Sequence, residues 1–197
     1  MEIVQKIMLV LLKDFSRQHT ITSLASMLKM SRVGVWKVLK RMEAEKYINL
    51  IPVGSGTTST YTIHLNWDNF LVEKNLALSL AEEASTQRRW RANFAELENE
   101  VDFLILFGSI LHSPKIAGDI DLLGVISSKK NFHKTQKITD KTQLTLTKKL
   151  HLLCFTSLEL KQELMKTNPA LIDAIAKGIV LYGQENFIKF IKELNPR

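Results

Sequence analysis

The spacing of hydrophobic residues changes along this chain, and each change predicts an element. Ile3, Ile7, Val10 and Leu11 recur at helical spacing and predict a helix from Glu2 to about Phe15. Thr20 to Met30 reads as a short second helix with Leu24, Ala25 and Leu28 inward. Ser31 is a good N-cap for a third helix, on which Val35, Val38, Leu39 and Met42 form an i, i+3, i+4, i+7 stripe. Two extended runs follow, Asn49 to Val53 and Thr60 to Leu65, joined by Gly54-Ser55-Gly56-Thr57-Thr58-Ser59. In the second run Tyr61, Ile63 and Leu65 alternate with polar neighbours, the pattern of a half-buried strand.

From Trp67 to Glu100 the chain lacks Pro and Gly, and helix formers dominate. Leu76, Leu80 and Ala84 mark one apolar stripe and Trp90, Phe94 and Leu97 another. Ser85-Thr86 offers a cap between them, so the segment reads as one long helix or two short ones. An apolar connector of this kind has to pack somewhere, and a homodimer interface is one solution. Short continuous apolar runs then predict buried strands at Phe103 to Phe107, Leu122 to Ile126 and from Leu150 onward in LHLLCF. The Thr-rich stretch Lys129 to Lys149 is expected to hold a helix. Thr156 with Glu159 forms a capping box for a helix Leu158 to Lys166. Asn168-Pro169 starts another that stops at Gly178. Ile179 to Tyr182 and an amphipathic helix Glu185 to Leu194 complete the chain. The expectation is an α+β protein: residues 1–66, a helical connector 67–100, and a small mixed-sheet α/β domain 101–197.

Composition narrows the setting. The 197 residues are 45% hydrophobic and hold a single cysteine, Cys154, which excludes an internal disulfide and makes a cytoplasmic location the expectation. No apolar run reaches membrane-spanning length, so no membrane partner is expected. The start, MEIVQKIMLVLLKDF, carries acids near both ends and polar breaks, so a secretory signal is not expected there. The formal net charge of +7 is uneven: residues 1–66 hold nine Lys/Arg against four Asp/Glu. A polyanion partner is therefore to be sought at the N-terminus.

Three helices followed by a hairpin resemble a winged helix-turn-helix domain. The resemblance implies double-stranded DNA as partner, with the third helix in the major groove and the hairpin wing on the backbone. Arg32, Lys37, Lys40 and Arg41, with Trp36 beside them, would be the DNA contacts. A solvated helix face, or a winged helix used for dimerisation or protein docking, is the competing reading. The second basic patch, Gln87-Arg88-Arg89-Trp90-Arg91, reads more simply as a solvated helix face than as a phosphate contact.

The richest chemistry lies in Leu104 to Val125, LILFGSILHSPKIAGDIDLLGV. Asp119 and Asp121 stand at i and i+2 of one strand, so both carboxylates leave the same face. Two acids at the mouth of an apolar strand are costly without a cation between them, and a hard divalent ion such as Mg2+ fits carboxylate oxygens. Gly108 permits close backbone approach, and Ser109 offers a hydroxyl and an amide at an expected helix start, suited to phosphate.

The pattern of apolar residues, Gly-Ser, a spacer and Asp-hydrophobic-Asp resembles the signature of polymerase-beta-type nucleotidyltransferases. That resemblance implies Gly108 and Ser109 as contacts to the triphosphate of an NTP. It further implies Asp119 and Asp121 as Mg2+ ligands for attack on the α-phosphate. A third carboxylate is expected on the next core strand, but Leu150-His151-Leu152-Leu153 puts His151 there. An imidazole can accept a proton yet is a poorer Mg2+ ligand than a carboxylate. Asp140 lies nearby without strand geometry to aim it, and His112 and Lys115 fall in the spacer.

Three functions follow as expectations. One is an enzyme moving a nucleoside monophosphate from Mg-NTP to a hydroxyl acceptor on a protein, small molecule or RNA. The second is a transcription regulator whose transferase-like domain is a degenerate nucleotide sensor or dimerisation module. The third is an antitoxin-like protein paired with a helical partner.

Overall fold

A computed structural model describes residues 2–54 and 60–194. The hairpin tip Ser55 to Ser59 therefore lies outside the described residues. The described elements mix helices with two separate sheets, and the fold class is α+β as the sequence leads one to expect. By contacts the chain divides into two units, Met1–Ser79 and Leu80–Arg197, with the boundary inside one helix.

The N-terminal unit contains helices α1 (Ile3–Lys13), α2 (Ile21–Leu28) and α3 (Arg32–Ala44). Strands β1 (His19–Thr20), β2 (Ile48–Val53) and β3 (Thr60–Leu65) form an antiparallel sheet in the order β1-β3-β2. This arrangement is consistent with a winged helix. The helix starts follow from side-chain chemistry. Thr20 accepts from the Ser23 amide, and Ser31 from the Gly34 amide at 3.0 Å, satisfying donors that a helix start leaves open. Ile7, Leu12, Leu24, Val35, Leu39, Met42 and Ile48 are fully or nearly fully buried. Helices α1 and α2 stop short of their expected ends because Asp14 and Lys29 leave the helical path, Lys29 with a φ of +53°. The two-residue strand β1, which the sequence does not reveal, forms because His19 and Thr20 pair with Ile63 and Thr62.

The apolar connector is two helices, α4 (Phe70–Ser85) and α5 (Arg88–Asn93). The second is capped by Gln87 without a side-chain bond, not by Ser85-Thr86; both hydroxyls instead donate back to the carbonyls of Glu82 and Glu83.

In the C-terminal unit β4 (Phe103–Phe107), β5 (Asp119–Ile126), β6 (Lys149–Thr156) and β7 (Ile179–Tyr182) form a mixed sheet in the order β6-β5-β4-β7. β4 pairs antiparallel with both β5 and β7, whereas β5 and β6 are parallel. A parallel pair needs a crossover, and α6 (Phe132–Gln143) supplies it. Helices α7 (Ser157–Met165), α8 (Pro169–Lys177) and α9 (Gln184–Leu194) follow. The expected Thr156–Glu159 capping box is formed, and Asn168 caps α8 with Pro169 at its first position.

Strand alternation splits the core into two layers. Leu104, Leu106, Ile120, Leu122 and Leu150 pack with Trp90, Phe94 and Leu97 on one face. On the other, Phe103 meets Phe187 edge-on with ring centroids 5.4 Å apart, and Ile105 lies against the backbone at Gly178. Asp119 and Asp121 belong to this second face, at its open end.

Candidate functional site

Two pairings bring the acids together with distant residues. Asp121 lies opposite Phe107 across β4–β5 and opposite His151 across β5–β6. Because paired residues share a face, His151 and both acids project from the same side. His151 Nδ1 is 3.4 Å from Asp121 Oδ1 and 3.8 Å from Asp119 Oδ2. The three groups can present ligand atoms all within 4.8 Å of one another. Their side chains are 42% (Asp119), 26% (Asp121) and 42% (His151) exposed, open enough for an incoming ligand.

Burial, reinforced by the charge on Asp119, pushes the Asp121 carboxyl above its ordinary range, while a hydrogen bond and charge from His151 pull the other way. The two carboxylates thus share one face of the sheet with a single imidazole beside them.

Gly108 adjoins this cluster. Its φ of +82° favours glycine, and a Cβ there would lie 2.5 Å from Asp121 Oδ2, so a side chain at this position would displace that carboxylate. Ser109 is exposed but opens only a one-turn 3-10 helix, Ser109–Leu111, so the expected helix-dipole support for phosphate is not available there. A cavity of about 410 Å³ borders Phe107, Gly108, Ser109 and His112 on one side and Ala170, Asp173 and Lys177 of α8 on the other. Asp119 and Asp121 do not line it, so it lies beside the acids rather than between them and the Gly-Ser bend. Lys177 is paired with Asp173 at 2.5 Å, and Lys115 is exposed.

Asp140 takes no part. It is exposed on α6 and accepts a 2.8 Å hydrogen bond from Gln136. The Gln87–Arg91 patch is divided by the fold: Trp90 enters the core, Arg91 lies over the Tyr182 ring at 5.3 Å, and Arg88 and Arg89 remain exposed.

On α3, Arg32, Lys37, Lys40 and Arg41 are all exposed. They are not equivalent. Lys40 is bonded to Glu43 at 2.6 Å and Arg41 to Glu45 at 3.4 Å, whereas no such pair holds Arg32 or Lys37 among the described residues. Trp36 is half-buried and packs on Tyr61 of β3 with ring centroids 5.5 Å apart, so part of its surface serves packing within the unit. Arg32, Val33, Trp36, Thr60 and Tyr61 line an open depression of about 450 Å³. Tyr61 is the residue sequence reasoning missed here; its alternation signalled a strand and gave no sign of the aromatic contact.

No helix among the described residues is long and apolar enough to cross a membrane. No protein-family model matches the chain, and the search of curated proteins gives no match. Among solved structures, the heme sensor protein PefR from Streptococcus agalactiae, in complex with heme, is similar over 73% of each chain at 17% identity, with a TM-score of 0.34. A likeness at that level carries no argument about the function of this chain.

Proposed function

We propose that the C-terminal unit binds a nucleoside triphosphate with a divalent cation and transfers its nucleoside monophosphate to a hydroxyl acceptor, and that the N-terminal unit binds double-stranded DNA. The observation that supports the first part is the meeting of Asp119, Asp121 and His151 beside a glycine that leaves no side chain in the way. Asp119 and Asp121 are the cation's oxygen ligands. The bare backbone at Gly108 and the exposed hydroxyl of Ser109 are the phosphate contacts. Two of the three donors suit Mg2+ and the imidazole does not. A bound divalent cation supplies charge neutralisation for the phosphates. Catalysis in such a site rests on positioning more than covalent chemistry.

The second reading is a transcription regulator whose site senses nucleotide without turnover. The observation favouring it is His151 in the third acid's place. One assay series separates the two. The full chain is tested for thermal stabilisation by NTPs with and without a divalent cation, then for pyrophosphate release. Stabilisation with turnover supports the enzyme, stabilisation alone supports the sensor, and neither removes both.

For the DNA part, the supporting observation is the exposed basic face of α3. Binding to duplex DNA should weaken steeply as salt rises, because each neutralised phosphate releases counterions. A flat salt response removes this part.

A further inference from the structure

We infer that the Asp119–Asp121–His151 centre prefers Mn2+ to Mg2+, with His151 Nδ1 as the selecting ligand. The inference rests on the proposed cation site and deepens it. Mg2+ demands oxygen ligands and sheds water reluctantly, so an imidazole among its ligands is a mismatch. First-row transition cations accept imidazole together with carboxylates. Mn2+ sits where the two preferences overlap: it keeps the carboxylate, water and phosphate oxygens that suit Mg2+ and accepts a ring nitrogen among them more readily than Mg2+ does.

His151 is not a bystander that drifts near the acids. The parallel register sets it directly opposite Asp121 and fixes it to the acid face of the sheet. Its Nδ1 is the ring atom near both carboxylates, at 3.4 and 3.8 Å. His151 is the basic side chain within 4.0 Å of Asp119 and Asp121, and no lysine or arginine among the described residues pairs with either acid. Without a metal, the same ring nitrogen lies against both carboxylates. With one, Nδ1 is the donor that distinguishes a borderline ion from a hard one.

The test uses the full chain and needs no turnover. Mn2+ binding is followed by loss of the free-ion electron paramagnetic resonance signal, and Mg2+ binding by competition for the same site. Mn2+ should bind at least about tenfold more tightly than Mg2+ in the unaltered protein. His151→Asp should narrow that gap to about threefold, through weaker Mn2+ and stronger Mg2+ binding. His151→Gln, which keeps bulk but removes the ring nitrogen, should weaken Mn2+ and leave Mg2+ nearly unchanged. Equal affinities in the unaltered protein, or an unchanged gap in His151→Asp, overturn the selectivity. If both ions still bind equally and both are lost in Asp119→Asn/Asp121→Asn, the cation site stands and only the role of His151 falls. If neither ion binds, or the double variant binds as before, the site itself falls with it.

Discussion

The two units present charge in opposite ways. On α3 the cations are strung along an exposed helix face, and two of them are shared with acids on the same helix or at its end. At the end of β5 three groups from two strands converge within 4.8 Å, and one acid is held above its ordinary range by burial and its neighbour. The first arrangement suits a long, uniformly charged partner, because many screened contacts each contribute a little. The second suits a compact cation, because few ligands each contribute much and the loss of one exposes the others. Redundancy and interdependence are what the comparison predicts, and both can be measured.

The largest effect is expected at the convergent site. Asp119→Asn/Asp121→Asn should abolish cation-dependent nucleotide binding, read as the loss of the thermal shift, while duplex DNA affinity stays unchanged. The same variant should melt higher than the unaltered protein when no metal is present. Burial and repulsion oppose ionised Asp121 in the fold, and the amides remove both. A surviving cation-dependent shift, or a parallel loss of DNA binding, would break the contrast between the units. Next in size, Gly108→Ala has to move a carboxylate away from a Cβ built 2.5 Å from it, at a backbone φ of +82°. Cation binding should weaken about tenfold, and unfolding in denaturant should show a loss of about 1–3 kcal/mol. Unchanged binding would mean that the Asp121 carboxylate does not serve as a ligand in the position seen.

How much of this the sequence reveals depends on how local each feature is. Asp119 and Asp121 share a strand, so alternation alone puts them on one face. The stripe Val35, Val38, Leu39 and Met42 is equally local; three of its members are buried and Val38 is half-buried. The Thr156–Glu159 and Asn168–Pro169 helix starts follow from side chains within three residues, and both form. The features that escape are set by pairing across the chain. His151 can be singled out by its place in an apolar run, but its 3.4 Å approach to Asp121 comes from the parallel register, which no periodicity encodes. β1 is too short to carry a pattern and exists only because β3 lies beside it. Trp36 sits on the helix face the sequence indicates, yet its packing on Tyr61 depends on where the hairpin returns. Ser109 fails for a different reason: one 3-10 turn, held between two strands, leaves no length for a helix dipole.

The redundant interface yields a smaller, graded prediction. Arg32→Ala/Lys37→Ala should lower the slope of log affinity against log salt by about 2, close to 0.9 for each phosphate left without its cation. Lys40→Ala/Arg41→Ala should lower it less, because Glu43 and Glu45 already share those charges. Equal reductions from the two pairs would show that the helix's own ion pairs open on binding and that all four cations count alike.

The smallest effect lies just past β6, the strand that carries His151, and asks whether acid sensitivity belongs to one unit alone. Glu159 bonds Lys129 at 2.8 Å and accepts from Thr156, and these partners lower its carboxyl from 4.5 to about 2. A folded-state value below the ordinary one means that the contribution is present above about pH 4.5 and fades as pH falls toward 2. The pair is exposed and screened by salt, so the change is modest. Glu159→Gln should therefore lower the melting temperature slightly at pH 7 and bring it level with the unaltered protein near pH 2. Lys129→Ala should remove the largest single share of the same difference, since the Lys129 bond is the leading cause of the shift. The N-terminal unit, followed through the Trp36 fluorescence of a chain in which Trp67 and Trp90 are changed to Phe, should report the same melting with Glu159 or Gln at that position. A pH-dependent change in that signal would show that the acid response is shared between the units.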